Sequence, residues 1–529
     1  MSATSRRIEL VPQSTAATRV MAAIVPDGVG PEPSGTLGTV TDPKVDVVVV
    51  GSGPNGLAAA LVMAGAGLEV LVVEGADTIG GGARSAETVL PGFHHDVCSA
   101  VHPMAVASPF FRAFDLAAHG VEMLQPEVAY AHPLDGGRAG IAWRDLDRTV
   151  DGLGRDGAAW RSLLGPLAGR WESVIAALMS DYRHVPRDLL TFLRFGLRTL
   201  EQGSPAWNVR FRGDQAPAML TGVSAHAIAP PRSLGPSGAG LMLASLAHGV
   251  GWPMPRGGSR AIVDAMAAEL RRRGGRIETG RWVRTLGELP SSRAVLLDVA
   301  PTGLLAMAGG ALPPSYARWL RGYRYGGAAA KVDFALSGPV PWAADHLDRA
   351  GTLHLGGTRS EMVATERRVR AGQHNEQPYV LAAQHGVVDD TRAPAGQQAL
   401  WSYAHVPNGS TLDVGDAVQA QIERFAPGFG DVVLARKAVP AARAAEYNPN
   451  YPGGDIASGA TTVWQMVMRP APRWDPYATP LDGVYLSSAA TPPGPAVHGM
   501  SGVHAAGRAL RQRFGIRTPP LDLVSPPRS

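Results

Sequence analysis

A chain of 529 residues with 45% apolar content can bury a substantial core and is expected to divide into more than one domain. Basic and acidic residues nearly balance, 49 against 45, and only Lys44, Lys331 and Lys437 are lysines, so the arginine richness reads as codon bias. No basic run, zinc spacing or RNA-binding motif is present, which excludes nucleic acid as the expected partner and a metal centre as the expected chemistry. The single cysteine, Cys98, excludes an intramolecular disulfide and a C-x-x-C redox pair, and reads as a packed small residue.

Residues 1–44 are rich in Ser, Thr, Ala, Pro and Gly and are expected to form a flexible tail. Their one apolar piece, "VMAAIV" at 20–25, is too short for a signal segment, which sets the expectation of a cytoplasmic protein. The next stretch, Val47 to Leu68, carries no charge and is about long enough to cross a bilayer. Its order argues otherwise. Val47–Val50 suits a buried parallel strand, and the glycines and Pro54 that follow would break a spanning helix. In the resulting βαβ unit Gly51 allows a tight turn, Gly53 admits a pyrophosphate to the backbone, and Gly56 lets helix and strand pack closely. The helix start at Pro54 and Asn55 offers free N–H groups to a phosphate. Glu74, 18 residues past Gly56, sits where a carboxylate accepts from ribose hydroxyls. A second G-x-G-x-x-G, Gly152 to Gly157, follows no apolar strand and has Asp151 and Asp156 to repel phosphate, so it reads as a loop.

A second glycine cluster with an arginine, Gly81, Gly82 and Arg84, follows Glu74 closely. The block "GGGARSAETVLPGFHHDVCSAVHPM" (80–104) resembles the phytoene desaturase-like flavoproteins, a branch of the FAD-dependent amine oxidase and desaturase superfamily. Two further blocks resemble the same family in order: "WPMPRGGSRAIVDAMAAELRRRGGRIETGRWVRTL" (252–286) and "GVYLSSAATPPGPAVHGMSGVHAAGRAL" (483–510). The resemblance implies an α/β fold with a discontinuous, Rossmann-like FAD-binding domain of the glutathione-reductase type, built from 45–108, 250–310 and 475–515. An inserted mixed α+β substrate domain would occupy 109–249 and 311–474, with 516–529 a loosely held tail. It further implies non-covalent FAD, a strand residue Val283 beside the adenine, and Ala489, Gly499 and Met500 in the closing loop and helix against the cofactor. Small Gly499, Ser501 and Gly502 are expected to bring that helix close to the flavin ring. The chain departs from the family's usual glycines at Ser488, Ala490, Pro495 and Ala496, which predicts crowding near the ribityl phosphate.

Between these blocks, "DYRHVPRDLLTFLRFGLRTL" (181–200) has leucines and phenylalanines at helical spacing with Arg187, Arg194 and Arg198 on other faces. It reads as an amphipathic core helix or, alternatively, as a face lying on anionic lipid. Histidines crowd the two loops expected near the ring: His94, His95 and His102, then His498 and His504. His498 is the best single candidate for a base, set against a helix N-terminus near Met500 that stabilises charge alone. The chemistry expected is hydride removal from an apolar, isoprenoid or lipid-like small molecule to flavin, with reoxidation by oxygen, a quinone or another carrier, since no second nucleotide unit follows. The alternatives are a flavin-dependent isomerase, an amine oxidase, whose ring-side aromatics "TPPGPAVHGM" does not supply, and a non-enzymatic lipid- or partner-binding protein on the same fold.

Overall fold

The run that could have been a membrane span folds as strand, turn and helix. Strands β1 (Val47–Val50) and β2 (Val70–Val73) are buried at every residue, as parallel strands covered on both faces must be. Helix α1 (Pro54–Gly65) joins them, with proline at its first position, where the missing N–H has no partner to lose. The computed structural model describes residues 45–181 and 185–525, so the expected tail at 1–44, and positions 182–184 and 526–529, lie outside the described residues.

Three distant segments complete the first sheet. Strands β3 (Arg276–Glu278), β4 (Ala294–Leu297) and β5 (Val484–Leu486) give the all-parallel order β5–β4–β1–β2–β3, with Val47–Val50 in register with Ala294–Leu297 on one side and Val70–Val73 on the other. A second sheet of seven strands runs Val433–Val439, Ala328–Leu336, Gln398–Val406, Val380–Gln384, Ala350–Leu355, Val128–Leu134, Arg138–Trp143. Its neighbours are antiparallel except Ala350–Leu355 beside Val128–Leu134. The described residues belong to one compact unit. The two sheets are therefore parts of one body.

Four helices position the site: α2 (Leu189–Gln202), α3 (Leu234–Gly249), α4 (Val463–Met468) and α5 (Met500–Ala509). Asp188 caps α2 by accepting from the Thr191 N–H and hydroxyl at 3.0 and 2.7 Å. Helix α5 crosses α1 so closely that a Cβ on Gly502 would lie 1.9 Å from the Asn55 carbonyl oxygen.

Several expectations need correction. Gly152 to Gly157 is a junction between two helices, in which Asp156 accepts from the Arg212 and Gly213 N–H groups at 2.7 Å each. Residues 517–525 are anchored: Val524 is fully buried, and Arg273 donates to the Leu523 and Val524 carbonyls at 2.6 and 2.7 Å. Val283 follows β3 in irregular backbone and is no strand residue. The apolar side of α2 is not core, because Leu189, Leu190, Leu193, Leu197 and Leu200 are all exposed.

Candidate dinucleotide and substrate cavity

The carboxyl ends of β1, β2 and β4 converge on the glycine turn, where open α/β sheets bind ligands. Gly51 has φ +97°, and a Cβ on Gly56 would meet the Gly51 carbonyl oxygen at 2.1 Å, so both positions demand glycine. Glu74, at the end of β2, accepts from the Ser52 N–H and hydroxyl at 2.9 and 2.6 Å and from the Ala76 N–H at 2.9 Å. Ser52 in turn accepts from the Gly80 N–H at 3.1 Å through its carbonyl, which stitches the second glycine cluster to the first. Arg84 closes the far side, donating to the Gly81 and Tyr447 carbonyls at 2.9 and 2.8 Å.

An acid that sequence reading missed stands in the same turn. Asp298, one residue past β4, accepts from the Gly56 N–H at 2.9 Å, and a Cβ on Gly53 would touch its Oδ2 at 2.7 Å. Burial pushes this carboxyl up to about 7, against the pull of the Gly56 N–H and with a further push from Glu74. The signal was available: an acid directly after a buried apolar strand, "AVLLD", sits at the ligand end of a parallel sheet.

The glycine turn opens into a single large cavity of about 1690 Å³. Gly51, Gly53, Pro54, Asn55, Glu74, Gly81, Gly82, Arg84, Val283 and Ala489 all line it. Gly56, Gly499 and Met500 do not, and each has another role. Gly56 supports the turn. Gly499 has φ +71° and faces Phe110 and Ala58, where a Cβ would sit 2.7 and 3.0 Å away. Met500 is buried in the core beside α1. The smallness of Gly499 and Gly502 thus serves helix packing and not approach to a ring.

His498 lines the cavity with both ring nitrogens committed. Nδ1 accepts from the Met500 N–H at 3.0 Å and Nε2 lies 3.0 Å from the Gly494 carbonyl oxygen, a neutral tautomer that caps α5. Burial lowers its pKa to about 4, so the ring is uncharged at neutral pH, and its one lone pair, on Nδ1, is already engaged by the Met500 N–H. That geometry removes it as the base. His95 Nε2 reaches the Phe334 carbonyl at 3.0 Å, His102 Nε2 the Ser259 hydroxyl at 2.7 Å and His504 Nε2 the Met179 carbonyl at 2.9 Å, while His94 stands beside Glu87 on the surface. The cavity histidine that sequence reading missed is His226, whose Nε2 lies 2.8 Å from that of the buried His354, so one ring donates and the other accepts. Burial lowers His226 to about 3, which keeps the pair neutral.

Aromatic walls also escaped the sequence. Trp252, Trp401, Tyr403, Tyr447 and Tyr451 line the cavity, and none belongs to the closing loop. The buried Arg469 donates to the Ala489 carbonyl at 2.9 Å and places a cation beside that loop.

Residues 55–303 match the family model of the flavin containing amine oxidoreductases. Pyridine nucleotide-disulfide oxidoreductase domain-containing protein 2 of Mus musculus is 25% identical over 88% of this chain and 93% of its own length. Hydroxyneurosporene desaturase of Rhodobacter capsulatus is 35% identical over 26% of this chain and 30% of that protein. A triple mutant of putrescine oxidase shares the fold, with a TM-score of 0.56 at 14% identity over 89% of this chain and 99% of the other. These matches make the chain similar to the FAD-dependent amine oxidase and desaturase superfamily, whose members are flavoproteins.

The residues of the flavoprotein fit FAD. The turn between β1 and α1 is a cradle that side chains would fill, and the buried Asn55 Oδ1 beside it has no hydrogen-bond partner. Gly51, Gly53 and Asn55 would hold the pyrophosphate, Glu74 the ribose, and Val283 with Trp282 the adenine side.

Proposed function

We propose that this flavoprotein is a dehydrogenase or desaturase that removes a hydride from an apolar, isoprenoid or lipid-like substrate, with oxygen, a quinone or another carrier as the final acceptor. When bound, FAD supplies a hydride acceptor at its N5 position. The observation that carries the reading is the cavity: its 1690 Å³ exceed the roughly 300–1,000 Å³ of an ordinary ligand site, which leaves room for a long substrate beside the dinucleotide. Away from the glycine turn its walls include Phe192, Phe195, Leu234, Met242, Leu243 and Met466. The carboxylates that line it are Glu74 and Asp298 at the turn and Glu446, which Arg443 holds at 2.9 Å. None of them is placed in the apolar part to pair with an ammonium group.

The chain's own contributions follow. Trp252, Trp401 and Tyr403 give the cavity aromatic walls that disfavour water beside the substrate. His226, half-buried and oriented by His354, presents a neutral imidazole that gives the cavity wall a polar contact for substrate without a charge. The similarity to a desaturase over a quarter of the chain supports this reading. A second reading, oxidation of an amine, draws on the aromatic walls at Tyr447 and Tyr451. Anaerobic mixing of the flavin-loaded protein with isoprenoid hydrocarbons and alcohols, and separately with primary amines, decides between them through bleaching of the flavin band. Bleaching by amines alone would replace the first reading with the second, and a colourless protein that takes up no FAD would leave only a binding role.

A further inference from the structure

Helix α2 is amphipathic with its apolar side turned outward. Thr191, Phe195 and Gln202 face the interior, whereas Leu190 and Leu197 are each 67% exposed and Leu189, Leu193 and Leu200 about half exposed. Val185, just before the helix, is 80% exposed. Helix α4 presents Val463, Trp464 and Val467 in the same manner. Single exposed apolar residues are ordinary, but contiguous ones on two elements mark an interaction surface. Phe192 and Leu200 of α2 and Val463 and Val467 of α4 are at once exposed and part of the cavity wall, so the two helices form the rim of its mouth.

The charge around this rim is positive. Asp188 is engaged by the cap of α2 and by Arg170, and Glu201 by Arg198 and Arg210. Arg187 and Arg194 of the same segment remain unneutralised by these carboxylates, and the exposed Arg232 stands near the start of α3. Among the described residues no helix is long and apolar enough to cross a membrane. An apolar face bordered by arginines and carrying a tryptophan has the chemistry of a surface that inserts shallowly between anionic headgroups.

We propose that the rim formed by α2 and α4 docks on an anionic lipid bilayer, with the cavity mouth facing the acyl chains. Docking stands on the exposed rim alone; that the substrate enters by this route rests on the apolar-substrate reading above. Bilayer contact removes the leucines from water, and Arg187, Arg194 and Arg232 meet lipid phosphates. A substrate dissolved in the membrane then passes Leu200 and Val467 without crossing water.

Flotation of the full-length, flavin-loaded protein with vesicles of phosphatidylglycerol and phosphatidylcholine tests the docking directly. The protein should float with mixed vesicles, bind pure phosphatidylcholine less, and lose part of its binding in high salt. Leu193→Glu and, on the other helix, Trp464→Glu should each lower the bound fraction by about tenfold while flavin content and melting temperature stay at wild-type values, since both side chains already face solvent and neither lines the cavity. Two outcomes overturn the proposal: wild-type protein that stays unbound with anionic vesicles, or a dimer in solution that Leu193→Glu dissociates, which would assign the rim to a second copy of the chain. Neither touches the substrate reading, which the anaerobic bleaching assay decides separately.

Discussion

Replacing Asp298 with Asn tests the electrostatics of the nucleotide turn. The asparagine Oδ1 can still accept from the Gly56 N–H, so the change removes a charge and keeps the hydrogen bond. Burial raises the native carboxyl to about 7 from an ordinary value of 3.8. Between those pH values the folded chain retains a proton that the unfolded chain has released. Stability therefore falls as pH rises through that window and is fully reduced above 7. Three units at about 1.36 kcal/mol each give a loss on the order of 4 kcal/mol. Chemical denaturation of the apoprotein at pH 4, 6 and 8 should show wild type and Asp298→Asn nearly equal at pH 4 and the variant more stable by about that amount at pH 8. FAD affinity should also weaken above pH 7 in the wild type and not in the variant, because a pyrophosphate in this turn repels the ionised acid. Denaturation curves that stay parallel across the pH range would refute a buried, proton-holding carboxyl here.

Glu74→Gln keeps the shape that meets Ser52 but removes the charged acceptor, so FAD affinity should drop roughly ten- to a hundredfold in a fluorescence titration; an unchanged affinity would mean that the ribose is held elsewhere. Ala496 has φ +141°, a conformation only glycine adopts freely, and Ala496→Gly should raise stability by about 1 kcal/mol in a urea melt, contrary to the usual effect of added glycine. His498→Ala deletes two backbone contacts at the start of α5 and should cost about 1–2 kcal/mol of stability. Substrate-driven flavin reduction by that variant should keep its pH dependence, and a rate loss with the pH dependence abolished would restore the histidine as a base.

The βαβ unit was legible because everything that defines it is local. Gly51, Gly53, Pro54 and Gly56 set backbone geometry within a few residues, and Glu74 follows at a distance set by one helix and one strand. The same locality exposed the Gly81, Gly82 and Arg84 cluster. Periodicity likewise revealed the leucine side of 189–202, but period alone says that a helix has an apolar face and not whether another element covers it.

The remainder depended on distance in sequence. Asp298 reaches Gly56 across 242 positions, and the cavity gathers Trp252 from a loop, Trp401 and Tyr403 from a strand and Tyr447 from a short helix that no spacing rule connects. Small residues gave an ambiguous signal, since Gly502 was read as room for a ring and serves instead as room for α1 to cross α5 at the Asn55 carbonyl. A histidine's chemistry is equally undefined until its partners are known: His498 became a helix cap and His226 a cavity imidazole only when Met500, Gly494 and His354 were set beside them. The sequence by itself determined the nucleotide turn, because backbone sterics and hydrogen bonding act between neighbours. The tertiary structure alone decided which side chains face the cavity, which face water and which acid keeps its proton, because burial is a property of the packed whole.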